Sequence, residues 1–220
     1  MHPAKSAASL FKTRPHPFPR RTQSPRSIFD REEDQFTKHP ATLHTNDFLL
    51  RPQMECDVDY LLEFHEDPRL GQYFGGPINR PRAVKRLNLS RWHYRAFGYS
   101  IFTALRKPAH EFAGFAGLIH FNFDFSSTET EFVCCLTKKH WSHQLARQLA
   151  YFYLDYAFND LFKSEVLMRF EPRTYPIVPL LVRDLHLART PLTTSRNVAG
   201  TTYDIITIRP EHMPNHKLRA

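Results

Sequence analysis

The chain of 220 residues sets 30 Lys and Arg against 22 Asp and Glu, for a formal net charge of +8, and is 41% hydrophobic and 14% aromatic. That is enough for one sizeable domain with a packed core, and no apolar run approaches the ~20 residues of a membrane helix. No apolar signal segment follows Met1, and three cysteines (Cys56, Cys134 and Cys135) without a CxxC pair read as reduced thiols rather than a disulfide framework. The basic excess points to an anionic partner: nucleic acid, the phosphates of a ligand, or an acidic protein surface. A plainly basic soluble protein is the other reading.

Residues 1–43 read as a basic, extended arm. Up to Phe29 they hold six Lys or Arg and no acid, and Pro3, Pro15, Pro17, Pro19 and Pro25 break any helix. Three readings stay open: an arm on RNA or a ribonucleoprotein, a transit peptide, or a disordered tail. The first and third go with a cytoplasmic protein and the second with the mitochondrial matrix. The prolines argue against the amphipathic helix of a transit peptide.

A folded domain is expected over 44–209, with a basic tail over 210–220. Phe48–Arg51 reads as its first strand, closed by Pro52. Asp57–His65 reads as a helix, with Val58, Leu61 and Leu62 on one face, ended by Pro68 and Gly71. Gly75-Gly76-Pro77 reads as a loop. Pro81–Tyr94 reads as a second helix, whose Arg82, Lys85, Arg86 and Arg91 suit a solvated face. Strands follow at Tyr99–Arg106, Phe112–Phe121 and Thr128–Leu136. The second of them holds Gly114 and Gly117, which require a bulge or a close backbone approach. Ser142–Leu161 is a long helix with Leu145, Leu149, Phe152 and Tyr156 on a broad apolar face. Glu165–Phe170 is a strand, Pro176–Leu185 a short helix, and Thr201–Ile208 a last strand. This order is not regular βαβα alternation. It predicts one α/β domain with a mixed, mostly antiparallel sheet of about six to seven strands flanked by about four helices.

The order resembles the GNAT superfamily of N-acetyltransferases, in its RimJ/RimL-like branch. The residues that carry the likeness are Thr45-Asn-Asp-Phe-Leu-Leu-Arg-Pro52, His65-Glu-Asp-Pro68, Glu111-Phe-Ala-Gly-Phe-Ala-Gly-Leu118, Glu131-Phe-Val-Cys-Cys-Leu136, His140-Trp141, Asp155-Tyr-Ala-Phe158 and Gly200-Thr-Thr-Tyr-Asp204. The resemblance implies acetyl-CoA as co-substrate and an amine acceptor, with a protein N-terminus as one class, and no membrane. It places the pantetheine arm on the strand edge at Cys134, Cys135 and Leu136. The pyrophosphate would meet the helix N-terminus at Ser142, His143, Gln144, Leu145, Ala146 and Arg147. Glu131 stands where the branch places a general base, acting directly or through water. Its other reading is an acid that pairs with a basic neighbour. Tyr175 stands where an acid for the leaving thiolate or a plug of the site would sit.

The cofactor motif departs from the family pattern. Gln144 replaces a glycine of the turn, His186 replaces another, and neither Thr174 nor Tyr175 is the usual Asn. The partner position is Ile177 or Val178 rather than Ser. His140 and His143 lie three apart, without an acid or cysteine at ligand spacing, and no metal is expected of them. Two functions remain: an acetyl-CoA-dependent N-acetyltransferase, or a non-catalytic protein of this fold that binds RNA, a ribonucleoprotein or a protein through basic surfaces.

Overall fold

The computed structural model describes residues 42–71, 76–170, 183, 185, 187, 191–198 and 200–214. The basic arm, most of the Pro176–Leu185 segment and the end of the C-terminal tail lie outside them.

Eight strands form one sheet: β1 Leu43–His44, β2 Phe48–Pro52, β3 Ile101–Arg106, β4 Glu111–His120, β5 Thr130–Leu136, β6 Val166–Phe170, β7 Leu192–Val198 and β8 Thr201–Ile208. Their spatial order is β1-β2-β3-β4-β5-β6-β8-β7, antiparallel throughout except for the parallel β5–β6 step. Three helices of more than two turns accompany the sheet among the described residues: α1 Val58–Glu66, α2 Arg80–Phe97 and α3 His143–Asn159. Pro68–Gly71 adds a single helical turn where the sequence suggested only a stop. The strand count exceeds the expected six to seven because of β1 and β7. The first has only two residues, and the second is a polar edge strand with little apolar alternation.

Each helix follows from its pattern and its caps. The α3 helix starts at Ser142, whose Oγ accepts the Leu145 N–H at 3.1 Å. Its Leu149, Ala150, Tyr153, Leu154 and Ala157 are buried against Phe48, Leu50, Phe102, Leu118 and Phe132 of the sheet. The Asn79 side chain caps α2, accepting the Arg82 N–H at 3.0 Å, and Gly98 at φ 78° closes the helix. On the other face of the sheet, Phe64 of α1 packs with Leu70, Phe115 and Cys135. Leu61 and Leu62 meet Ala83 and Leu87 of α2.

Two contacts hold the N-terminal half together. Asp57 is fully buried, and its carboxylate accepts hydrogen bonds from Arg51 at 2.7 Å, the Met54 N–H at 2.8 Å and the Thr103 hydroxyl at 2.7 Å. Burial alone would raise its pKa, but these donors outweigh it and hold the group below the usual carboxylate range. The second contact is the close approach of β4 to both neighbours that its glycines permit, Gly117 toward the start of β3 and Gly114 toward β5. A Cβ on Gly117 would lie 2.0 Å from the Ser100 carbonyl oxygen, and one on Gly114 would lie 2.1 Å from that of Cys135. Gly114 also has φ 144°, beside the register shift at Ala104–Leu105.

His93 of α2 is buried at the other end of β4. Its Nδ1–H donates to the Tyr99 carbonyl at 2.6 Å, so its Nε2 is left to accept from His120 at 2.8 Å. Burial pulls its pKa down to about 4, with the nearby His120 and Lys163 adding to the effect and the Tyr99 carbonyl opposing it.

Two predictions follow from this packing. Gly117→Ala should destabilise the domain by about 3 kcal/mol or more, because backbone must move to admit the methyl group; a urea midpoint within error of the parent would contradict the close approach. The second concerns pH. His93 is held neutral in the fold, whereas the unfolded chain protonates it near 6.5. Its contribution is therefore complete above pH 6.5 and is lost as pH falls toward about 4, on the order of 3 kcal/mol. Stability curves of His93→Gln should be flatter than those of the parent over that window, and parallel curves would refute the assignment.

Candidate active site

The two halves of the sheet meet at one residue pair. Between β5 and β6 the parallel ladder has a single register pair, Glu131 with Leu167. On its other side β5 is paired with β4 along its whole length, from Thr130 opposite His120 to Leu136 opposite Gly114. The edge of β5 from Val133 to Leu136 therefore has no strand partner among the described residues. Backbone donors and acceptors on such an edge are available to an extended ligand.

Cys134, Cys135 and Leu136 lie on this segment. Cys134 and Leu136 pack toward α3, and Cys135 toward Phe64 and Phe115 on the opposite face, as strand alternation requires. Burial pushes the Cys134 thiol up to about 12 and raises the Cys135 thiol well above the usual thiol range. Neither is a thiolate at neutral pH, so what this segment offers a ligand is main chain rather than a nucleophile.

The chain then turns into α3. The Thr137 N–H donates to the Ala113 carbonyl at 2.8 Å, and a 3-10 turn spans Lys138–His140. His140 is buried, with Nδ1 3.1 Å from the Thr137 hydroxyl and Nε2 3.8 Å from Glu111, so local contacts account for it. No group of three or more His, Cys, Asp or Glu able to hold a metal occurs among the described residues.

Of the predicted phosphate cradle, Ser142, His143, Gln144 and Arg147 are exposed, Leu145 is half-buried, and Ala146 is buried in the core. The Ser142 carbonyl accepts the Ala146 N–H at 3.0 Å, which completes the first turn of the helix. Gln144 lies within regular helix and outside the set of positive-φ residues. A glycine is thus not needed there for conformation, and the exposed Gln side chain leaves the helix start regular. The N-terminus of a 17-residue helix, with Arg147 on its first turns, suits an anionic group.

Glu131 sits at the junction of the two half-sheets and is 3% exposed. Its Oε1 accepts from Arg169 Nε at 2.9 Å and its Oε2 accepts from the Asn122 N–H at 3.0 Å. Arg169 also donates to the Asn122 side-chain oxygen at 3.3 Å, and its guanidinium lies over the rings of Phe121 and Tyr203. Arg196 lies over Phe121 as well and pairs with Glu129 at 2.7 Å. Glu131 thus has the basic neighbour that its position at the strand start suggested. Sequence reasoning missed the identity of that neighbour, although an arginine inside the apolar run Val166–Phe170 is the available signal. Tyr175, the other candidate catalytic residue, lies outside the described residues, as do Thr174, Ile177, Val178 and His186.

Known proteins agree with this architecture. The sequence model of the acetyltransferase (GNAT) domain family matches residues 47–176. An acetyltransferase from Agrobacterium tumefaciens superposes with a TM-score of 0.64 at 20% identity, covering 81% of this chain and 99% of its own. A ribosomal-protein-S5-alanine acetyltransferase from Vibrio fischeri gives 0.55 at 13% identity, covering 80% and 100%. Mutant forms of a spermidine/spermine N-acetyltransferase from Vibrio cholerae give 0.53 at 16%, covering 75% and 95%. At these identities the structural likeness speaks for the fold, and the family match covers more than half of the sequence. A sheet that parts beside Glu131 and leads into a capped helix is the frame of that family, and the chain belongs to the GNAT acetyltransferases.

Proposed function

We propose that this protein is an acetyl-CoA-dependent N-acetyltransferase acting on an amine, with a protein N-terminus as the acceptor class. The observation that carries this reading is the β5 edge Val133–Leu136, which has no strand partner among the described residues and runs into the capped N-terminus of α3. An extended amide chain with a terminal phosphate group fits both parts at once. Its amides pair with the β5 main chain, and its pyrophosphate lies at the first turn over Ser142–Ala146, with Arg147 adding charge. The ribosomal-protein enzyme among the structural neighbours supports the acceptor class by analogy of fold.

In the transfer, the amine nitrogen attacks the thioester carbonyl, the C–S bond breaks, and the amine gives up one proton. Main-chain N–H groups of the β5 edge stabilise the developing oxyanion. Glu131 receives the proton through a water molecule. Each of its oxygens accepts one hydrogen bond in the fold and retains a further lone pair for that water. Arg169 fixes the carboxylate and is its positioning residue. Tyr175 returns a proton to the leaving thiolate.

Acetyl-CoA titrated into the purified protein by calorimetry at moderate salt should bind in the micromolar range, with Arg147→Glu weakening it about tenfold. No heat of binding up to millimolar acetyl-CoA would overturn the reading and leave a non-catalytic protein of this fold. Glu131→Gln keeps the size of the side chain and one of its two acceptor oxygens but cannot take the proton, so its melting temperature is read beside its kinetics. It should lower kcat about 100-fold with the KM for acetyl-CoA unchanged, and undiminished kcat would assign Glu131 a purely structural role.

A further inference from the structure

We infer that the solvent face of α2 binds single-stranded RNA, a function beyond acetyl transfer. Helix α2 carries Arg80, Arg82, Lys85, Arg86, Arg91 and Arg95 and no acid. Its buried stripe is Ala83, Leu87, Ser90 and His93. Directly opposite, Lys85, Asn88 and Trp92 form an exposed stripe at helical spacing, about 10 Å long. Arg80 is engaged with Asp59, and Arg86 is drawn in against His65. Lys85 and Arg91 have no ion-pair partner among the described residues and are left to an outside anion.

The aromatic group on this stripe is held in place by the fold. Trp92 is 43% exposed, and the Phe125 ring, itself 38% exposed, lies 4.7 Å from it, with Phe97 at 6.0 Å. Phe125 reaches that position from a turn in which two consecutive non-glycine residues, Asn122 and Phe123, have φ of 55° and 54°. Such a backbone persists only when its surroundings fix it. Here the Glu131 carboxylate holds the Asn122 N–H, and the Asp124 carboxylate holds Ser126. The result is two solvent-facing rings kept together at the helix that carries the exposed Lys85 and the half-buried Arg91.

Charge and aromatic surface together select the occupant. An acidic protein surface would satisfy Lys85 and Arg91 but gains nothing from the negative face of an indole. A single-stranded nucleic acid supplies phosphates for the cations and bases that stack on Trp92, and Asn88 offers a polar contact to a ribose hydroxyl. In a duplex the base faces are already stacked, so the platform favours the single strand.

The test uses the full chain and a fluorescein-labelled 12-nucleotide single-stranded RNA, read by fluorescence anisotropy between 50 and 200 mM salt. Trp92→Ala should weaken binding about tenfold and leave the salt dependence unchanged, since a stacking contact is lost. The double variant Lys85→Glu, Arg91→Glu should weaken binding and flatten the dependence of log affinity on log salt by about one to two. A duplex of the same length should bind more weakly than the single strand. The inference is overturned if both variants bind like the parent, which would place binding on the basic N-terminal arm. Equal affinity for duplex and single strand would overturn it too, as would no binding at the lower salt. Lys85 and Trp92 are exposed and Arg91 is half-buried, so the variants should melt with the parent, and Lys85→Glu alone keeps the test open if another variant does not.

Discussion

One pair of residues joins the two halves of this sheet. Among the described residues Glu131 and Leu167 are the one register pair between β5 and β6, and the Glu131–Arg169 contact clamps the same junction from the side chains. Five strands lie to one side and three to the other. Because the ladder has one pair, β5 runs on from Val133 to Leu136 with one edge that has no strand partner among the described residues. Helix α3 makes that arrangement stable: its buried Leu149, Ala150, Tyr153 and Ala157 fill the space beneath the junction. Tyr153 adds a hydrogen bond to the Ala116 carbonyl at 3.0 Å. An unpaired edge beside a well-packed helix is unusual in a soluble sheet unless something is to be laid along it.

The same junction serves more than one purpose. Glu131 fixes Arg169, and through the Asn122 N–H it fixes a strained turn that carries Phe123 and Phe125. A buried carboxylate with an arginine and a backbone donor is well satisfied, and removing it would take the ion-pair partner from the half-buried Arg169. The contribution of Glu131 to chemistry is therefore separable from its contribution to structure only when a variant's stability is measured beside its kinetics. The fold and the proposed active site share this residue, whereas the α2 surface depends on it only through the turn.

Much of this was legible in the sequence where burial follows periodicity. The strands β2 to β6 and β8 and the helix α3 are apolar where the core needs them to be, and their expected limits fall within a few residues of those observed. Gly114 and Gly117, two glycines in one strand, signalled close approach, and both lie against neighbouring backbone. The strand β7 was not legible, because Leu192-Thr-Thr-Ser-Arg-Asn-Val198 has β8 as its one strand neighbour among the described residues and buries no residue fully. At the site, the acid and the helix start were visible, but the partners were not. Arg169 lies 38 residues from Glu131 and Thr103 lies 46 from Asp57, distances at which only the folded sheet brings groups together. Gln144, which stands where the resemblance has a turn glycine, is ordinary helix in the fold.

The most direct test of the account is a crystal structure of the protein with acetyl-CoA. The account predicts pantetheine amides hydrogen-bonded to the main chain of β5 between Val133 and Leu136, with the pyrophosphate at the first turn of α3. A cofactor seated elsewhere, or a β5 edge covered by another segment of the chain, would contradict it.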